Sequence, residues 1–80
     1  MKITIESTSK IVTLIVKGGE IPARIWEGTT DDGVPVHCYI TRIAVPESAA
    51  PYQHQRFARE LVSVRSPSPE VAAIDPRLIL

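Results

Sequence analysis

The stretch ARIWEGTTDDGVPVHCYI, residues 23–40, sets two runs rich in β-branched and aromatic residues on either side of Asp32-Gly33. An Asp-Gly pair flanked by such runs is the strongest short-range signal of a β-hairpin, because glycine supplies the positive φ that the tight turn needs. The spacing predicts one strand from Ile21 to Glu27 and a return strand over VPVHCYITRIAV, residues 34–45. Pro35 has no N–H to give a ladder, which places the start of the return strand at a sheet edge or just before regular pairing begins. Alternation then assigns faces. With a loop of two or four residues, Arg24, Trp26, His37, Tyr39 and Thr41 share one face, and Ala23, Ile25, Val36, Cys38 and Ile40 share the other.

Working outward, KITIE (2–6) alternates and IVTLIVK (11–17) is β-branched, so both read as strands, with polar STSK (7–10) as the turn between them. KGGE (17–20) is a second turn. Beyond residue 48 the period changes. Tyr52, Phe57, Leu61 and Val64, helped by Ala58 and Val62, fall at helical spacing over about 49–64, with Ser48 as N-cap and Pro51 in the first turn. PEVAAI (69–74) has the form of one or two helical turns capped by Ser68, and RLIL (77–80) that of a short final strand. The expected fold is α+β over residues 1–80 as one domain. An antiparallel sheet of about four strands, joined by hairpins, carries one helix packed across its aliphatic face and a short C-terminal element.

Composition narrows the functions open to such a chain. Its 80 residues are 44% hydrophobic and 22% charged, near globular averages. Nine basic residues balance nine acidic ones. This gives neither the positive field of a non-specific nucleic-acid binder nor the acidity of a DNA mimic, and argues against nucleic acid as a direct ligand. One cysteine forms no internal disulfide, and no apolar N-terminal run has the length of a signal peptide or membrane span. A reducing cytoplasm is the expected compartment.

Adjacent His37 and Cys38 are the residue types of metal ligands and thiol catalysts. Successive strand side chains point to opposite faces, so on a regular strand the two cannot serve one site. Cys38 is assigned to the apolar face as a small core residue. His54 is the other histidine and has no Cys or His three or four positions away, so no metal is expected. Asp31 and Asp32 read as turn residues. With no phosphate-binding glycine loop and no nucleophile motif, neither a cofactor nor an enzyme activity is expected.

What remains for the Trp26 face is a partly solvated sheet surface held by a cross-strand Trp–Tyr contact, which needs no partner, or binding. Arg24, Trp26, His37 and Tyr39 on one face have the composition of an interface hot spot, and Arg56 and Arg59 on the helix, near Arg65, are a second candidate through guanidinium recognition of carboxylate or phosphate. The same aromatic and basic face leaves open a small nucleic-acid-associated protein, and an oligomerising accessory role is a third alternative.

The strings ESTSKIV, IPARIWEGTTDDGVPVHCYITRIAV, QRFARELVSVRSPSPEVAAI and RLIL resemble a family of short proteins encoded in bacteriophage and prophage genomes, over nearly the whole chain. They are also similar to small anti-CRISPR inhibitors of type I-C CRISPR–Cas systems. The resemblance implies a phage protein, monomeric or homodimeric, acting in the host cytoplasm. It would bind a subunit of the surveillance complex and block target DNA recognition or nuclease recruitment. The strings are fold-level and transfer no catalytic residues.

Overall fold

The computed structural model describes residues 1–80. Its elements run β1 (Ile3–Val16), β2 (Gly19–Thr30), β3 (Pro35–Ile40), α1 (Pro51–Leu61), α2 (Pro69–Ala72) and β4 (Arg77–Ile79). One four-stranded sheet has the order β3-β2-β1-β4. The β1–β2 and β2–β3 pairs are antiparallel, and β4 joins β1 in parallel. The α+β class is as the sequence predicts, with the sheet mixed rather than wholly antiparallel.

The expected STSK turn does not form. β1 runs through it, and three residues, Thr8, Ser9 and Lys10, stand opposite Ile25 alone between the pairs Ser7↔Trp26 and Ile11↔Arg24. The polar side chains that suggest a turn satisfy the bulge instead. Thr8, fully buried, donates from Oγ1 to the Ile25 carbonyl at 2.6 Å and accepts from the Lys10 N–H at 3.2 Å. Two surplus residues preserve the in-out alternation, so Ile3, Ile5 and Ser7 share a face with Ile11, and the core face of β1 becomes apolar only after the bulge, at Val12 and Leu14.

The β1–β2 turn uses Gly18 at φ +93°. The β2–β3 turn has three loop residues, Asp31, Asp32 and Gly33. Gly33 donates to the Thr30 carbonyl at 2.9 Å, the Thr30 N–H donates to the Val34 carbonyl at 2.9 Å, and Gly33 sits at φ +83°. This is a turn closed by a glycine bulge. An odd loop reverses the parity expected from a loop of two or four. Arg24 pairs with Ile40, Ile25 with Tyr39, Trp26 with Cys38 and Glu27 with His37. β3 also stops at Ile40, well short of Val45.

The core consists of Val12, Leu14, Ala23, Ile25 and Val71, with Ile74 and Leu78 packed against it. Val12 pairs with Ala23 and Leu14 with Leu78, so all lie on one face of the sheet. That face is covered by α2, not by the long helix. α1 contributes no buried residue, and its Tyr52 and the C-cap Val62 are 67% and 79% exposed. Its N-cap is Ala50 rather than Ser48, with Pro51 at the first helical position and the Gln53 side chain accepting from the Ala50 N–H at 2.9 Å. α2 begins as expected at Ser68, whose hydroxyl accepts from the Val71 N–H.

A carboxylate clasp holds α2 in place. Glu27 follows Ile25 on the core face and is largely buried at the start of α2. Its Oε1 accepts from the Ser68 hydroxyl at 2.5 Å, and its Oε2 accepts from the Ser68 N–H at 2.9 Å and from Arg65 at 3.0 Å. These donors hold the Glu27 carboxyl below the ordinary carboxylate range, the Ser68 hydroxyl contributing most, then the Ser68 N–H and Arg65, against an opposing push from desolvation. Residues 63–65 thread past the β1 bulge on the way. Arg65 exchanges backbone bonds with Ser7 and Ser9, and the Ser7 hydroxyl donates to the Ser63 carbonyl.

Candidate binding groove

The face of the sheet opposite the core carries the even-numbered residues of β2 and β3. Row by row across β1, β2 and β3 it reads Ile11–Arg24–Ile40 and Ser7–Trp26–Cys38. No buried core covers these rows. Instead, Ile11, Arg24, Trp26 and Ile40 form the floor of a groove of about 390 Å³, walled by Pro22, by Thr41, Arg42 and Ile43 beyond β3, and by Leu61 at the end of α1. Ile11 is 53% exposed and Leu61 47%, although both lie where apolar side chains converge. Arg24 is anchored there by donating to the Thr8 carbonyl at 2.8 Å, so the β1 bulge fixes the direction of its guanidinium.

The structure splits the face that the sequence predicts. Arg24 and Trp26 share the groove. His37 and Tyr39 point to the core side, where His37 stands opposite Glu27 and Tyr39 opposite Ile25, both exposed beyond the cover of α2. Cys38, expected in the core, lies half-buried on the groove face directly across from Trp26. Val36 and Ile40 change sides with it. The physical reason is the three-residue loop: one loop residue more or fewer moves every β3 side chain to the other face. Arg56 is committed to Glu60 at 2.9 Å one helical turn on, and Arg59 has no ion-pair partner on exposed α1. Arg65, grouped with them in the sequence, is drawn away to Glu6 and Glu27.

Ile11, Ile40, Arg42, Ile43 and Leu61 are groove residues that sequence reasoning assigns elsewhere or passes over. Leu61 belongs to the apolar stripe of α1, which the sequence directs onto the aliphatic face of the sheet and the structure leaves without a buried residue, Leu61 lining the groove instead. His37 and Cys38 do not converge, and no group of three or more His, Cys, Asp or Glu side chains is placed to hold a metal ion. No helix is long and apolar enough to cross a membrane. What the groove offers is an aromatic and several aliphatic side chains around two fixed or free guanidinium groups, an arrangement suited to holding a segment of another molecule. Compared with known proteins, the chain matches no family model, no curated relative and no solved structure.

Proposed function

We propose that the protein acts by binding rather than by catalysis, as a phage-encoded inhibitor in the host cytoplasm. It seats part of a host type I CRISPR–Cas surveillance complex in the groove and thereby blocks target DNA recognition or nuclease recruitment. The observation that carries the binding reading is the groove itself: Trp26, Ile11 and Leu61 are left accessible around a concave surface while the true core lies on the other side of the sheet. Exposed apolar residues gathered into one hollow mark interaction sites more often than the same residues scattered singly. The choice of target follows from the resemblance of the sequence strings to anti-CRISPR inhibitors. Balanced charge supports steric occlusion of a protein surface over imitation of DNA.

A plaque assay on a host with an active type I-C system tests the proposal. Expression of the protein should restore plating of a targeted phage, and the purified protein should co-elute with the purified surveillance complex. Trp26→Ala, checked by thermal unfolding to be folded, should lose both properties. Absence of protection by the wild-type protein refutes the inhibitor reading. Undiminished protection by a folded Trp26→Ala refutes the groove as its contact surface.

A further inference from the structure

The charges around the groove narrow what can occupy it. Its lining includes Arg24 and Arg42 and no carboxylate, although acidic and basic residues are equal in number over the whole chain. The ion pairs join Arg56 to Glu60, Arg65 to Glu6 and Glu27, and Arg77 to Glu20, so neither groove arginine has an acidic partner within the protein. Arg24 spends one nitrogen on the Thr8 carbonyl, which leaves the rest of its fork to face a ligand from a fixed position. Arg42 makes no side-chain hydrogen bond and is exposed at the opposite wall. Between them Ile11 and Ile40 on the floor and Leu61 on the wall set aliphatic surface beside the one indole.

Resting on the groove as the contact surface, we infer that its occupant is an acidic, apolar peptide segment of the partner protein. One or more Asp or Glu carboxylates would be held by Arg24 and Arg42 while a neighbouring Leu, Ile or Phe fills the space against Trp26 and Leu61. Guanidinium forks favour carboxylates through paired, charge-assisted bonds. A strand of nucleic acid fits the same charges less well, because bases need a succession of aromatic platforms and the groove has one.

The probe is a short fluorescein-labelled peptide built of Leu, Phe and Glu, compared by fluorescence anisotropy with its Gln and Lys counterparts and with labelled oligo-dT. The Glu peptide should bind at least about tenfold more tightly than the Gln peptide, the effect of one charge-assisted bond, and the Lys peptide should not bind. Arg42→Gln, a substitution outside every hydrogen bond of the fold, should reduce the preference for Glu over Gln several-fold without changing the melting temperature. Trp26→Ala should weaken the Glu and Gln peptides alike. Equal binding of the Glu and Gln peptides, tighter binding of oligo-dT, or no binding of any peptide overturns the inference. Loss of protection in the plaque assay with folded Trp26→Ala would at the same time leave the groove standing as the contact surface, so the two failures are distinguishable.

Discussion

Removing the Glu27 carboxylate tests the account of how the C-terminal segment is held. Two of its bonds come from Ser68 at the start of α2, at 2.5 Å and 2.9 Å, around a carboxylate that is only 11% exposed. Hydrogen bonds to a charged group at such a site are worth about 1.5–3 kcal/mol apiece, less when they share one acceptor group. Arg65 is 41% exposed and adds about 0.5 kcal/mol. Glu27→Ala should therefore cost about 3 kcal/mol, a fall in melting temperature of roughly 12–24 °C for a domain this small. Glu27→Gln keeps an acceptor and loses the charge, and should cost about half as much. Urea denaturation of both variants, of Ser68→Ala and of the Glu27→Ala/Ser68→Ala pair gives the coupling directly. A cost below about 1 kcal/mol for Glu27→Ala, or strict additivity in the double variant, refutes the clasp. The pH dependence has a definite sign. The folded carboxyl is depressed, so its contribution is complete above the unfolded-chain value of about 4.3 and is lost as pH falls through the lower native value. The stability difference between wild type and Glu27→Gln should be flat near neutrality and shrink in acid.

Two further predictions concern packing. Ile25→Ala, at a fully buried position, should cost about 2–5 kcal/mol, whereas Val62→Ala at the exposed C-cap of α1 should stay within about 0.5 kcal/mol, and comparable losses in chemical denaturation would contradict the placement of the core. At Gly28 an added Cβ would lie 1.7 Å from the Thr4 carbonyl oxygen, so Gly28→Ala must part β1 from β2 and should cost about 3 kcal/mol. Gly19→Ala meets nothing within 4 Å and has no positive φ, so it serves as the control in the same thermal melts; similar shifts for the two would refute the close approach at Gly28.

Much of the fold is legible in the sequence because local chemistry settles it. The Lys17-Gly18 turn, the Asp32-Gly33 turn, Pro35 at an edge, Pro51 inside the helix start and Ser68 as a cap each follow from one residue's backbone preference. What was not legible depends on counting or on distant partners. The Asp-Gly signal announces a hairpin without fixing whether two, three or four residues form its loop, and the face of His37, Cys38 and Tyr39 hangs on that number. STSK reads as a turn because its residues are polar, yet their partners are Ile25, Arg65 and Ala72, far away in the chain. The amphipathic pattern of α1 correctly reports a helix. It does not report which face receives it, and the four-residue α2, too short for any periodic signal, covers the core instead. Of the predicted contact residues, Arg24 and Trp26 are found together because they belong to one strand, where no loop intervenes.

The order of the strands bears on how the chain acquires its structure during synthesis. The β1–β2–β3 meander is complete by Ile40 and depends only on neighbouring hairpins, the kind of pairing that forms quickly. Its apolar face then waits for Val71, Ile74 and Leu78, which are synthesised about thirty residues or more after β3 and are stitched on by the Glu27 clasp and by β4. A nascent chain therefore carries a formed but uncovered sheet until residues 71–78 have emerged. Truncation after Pro67 would leave it permanently in that condition, with Ile25 and Val12 open to water and to other chains.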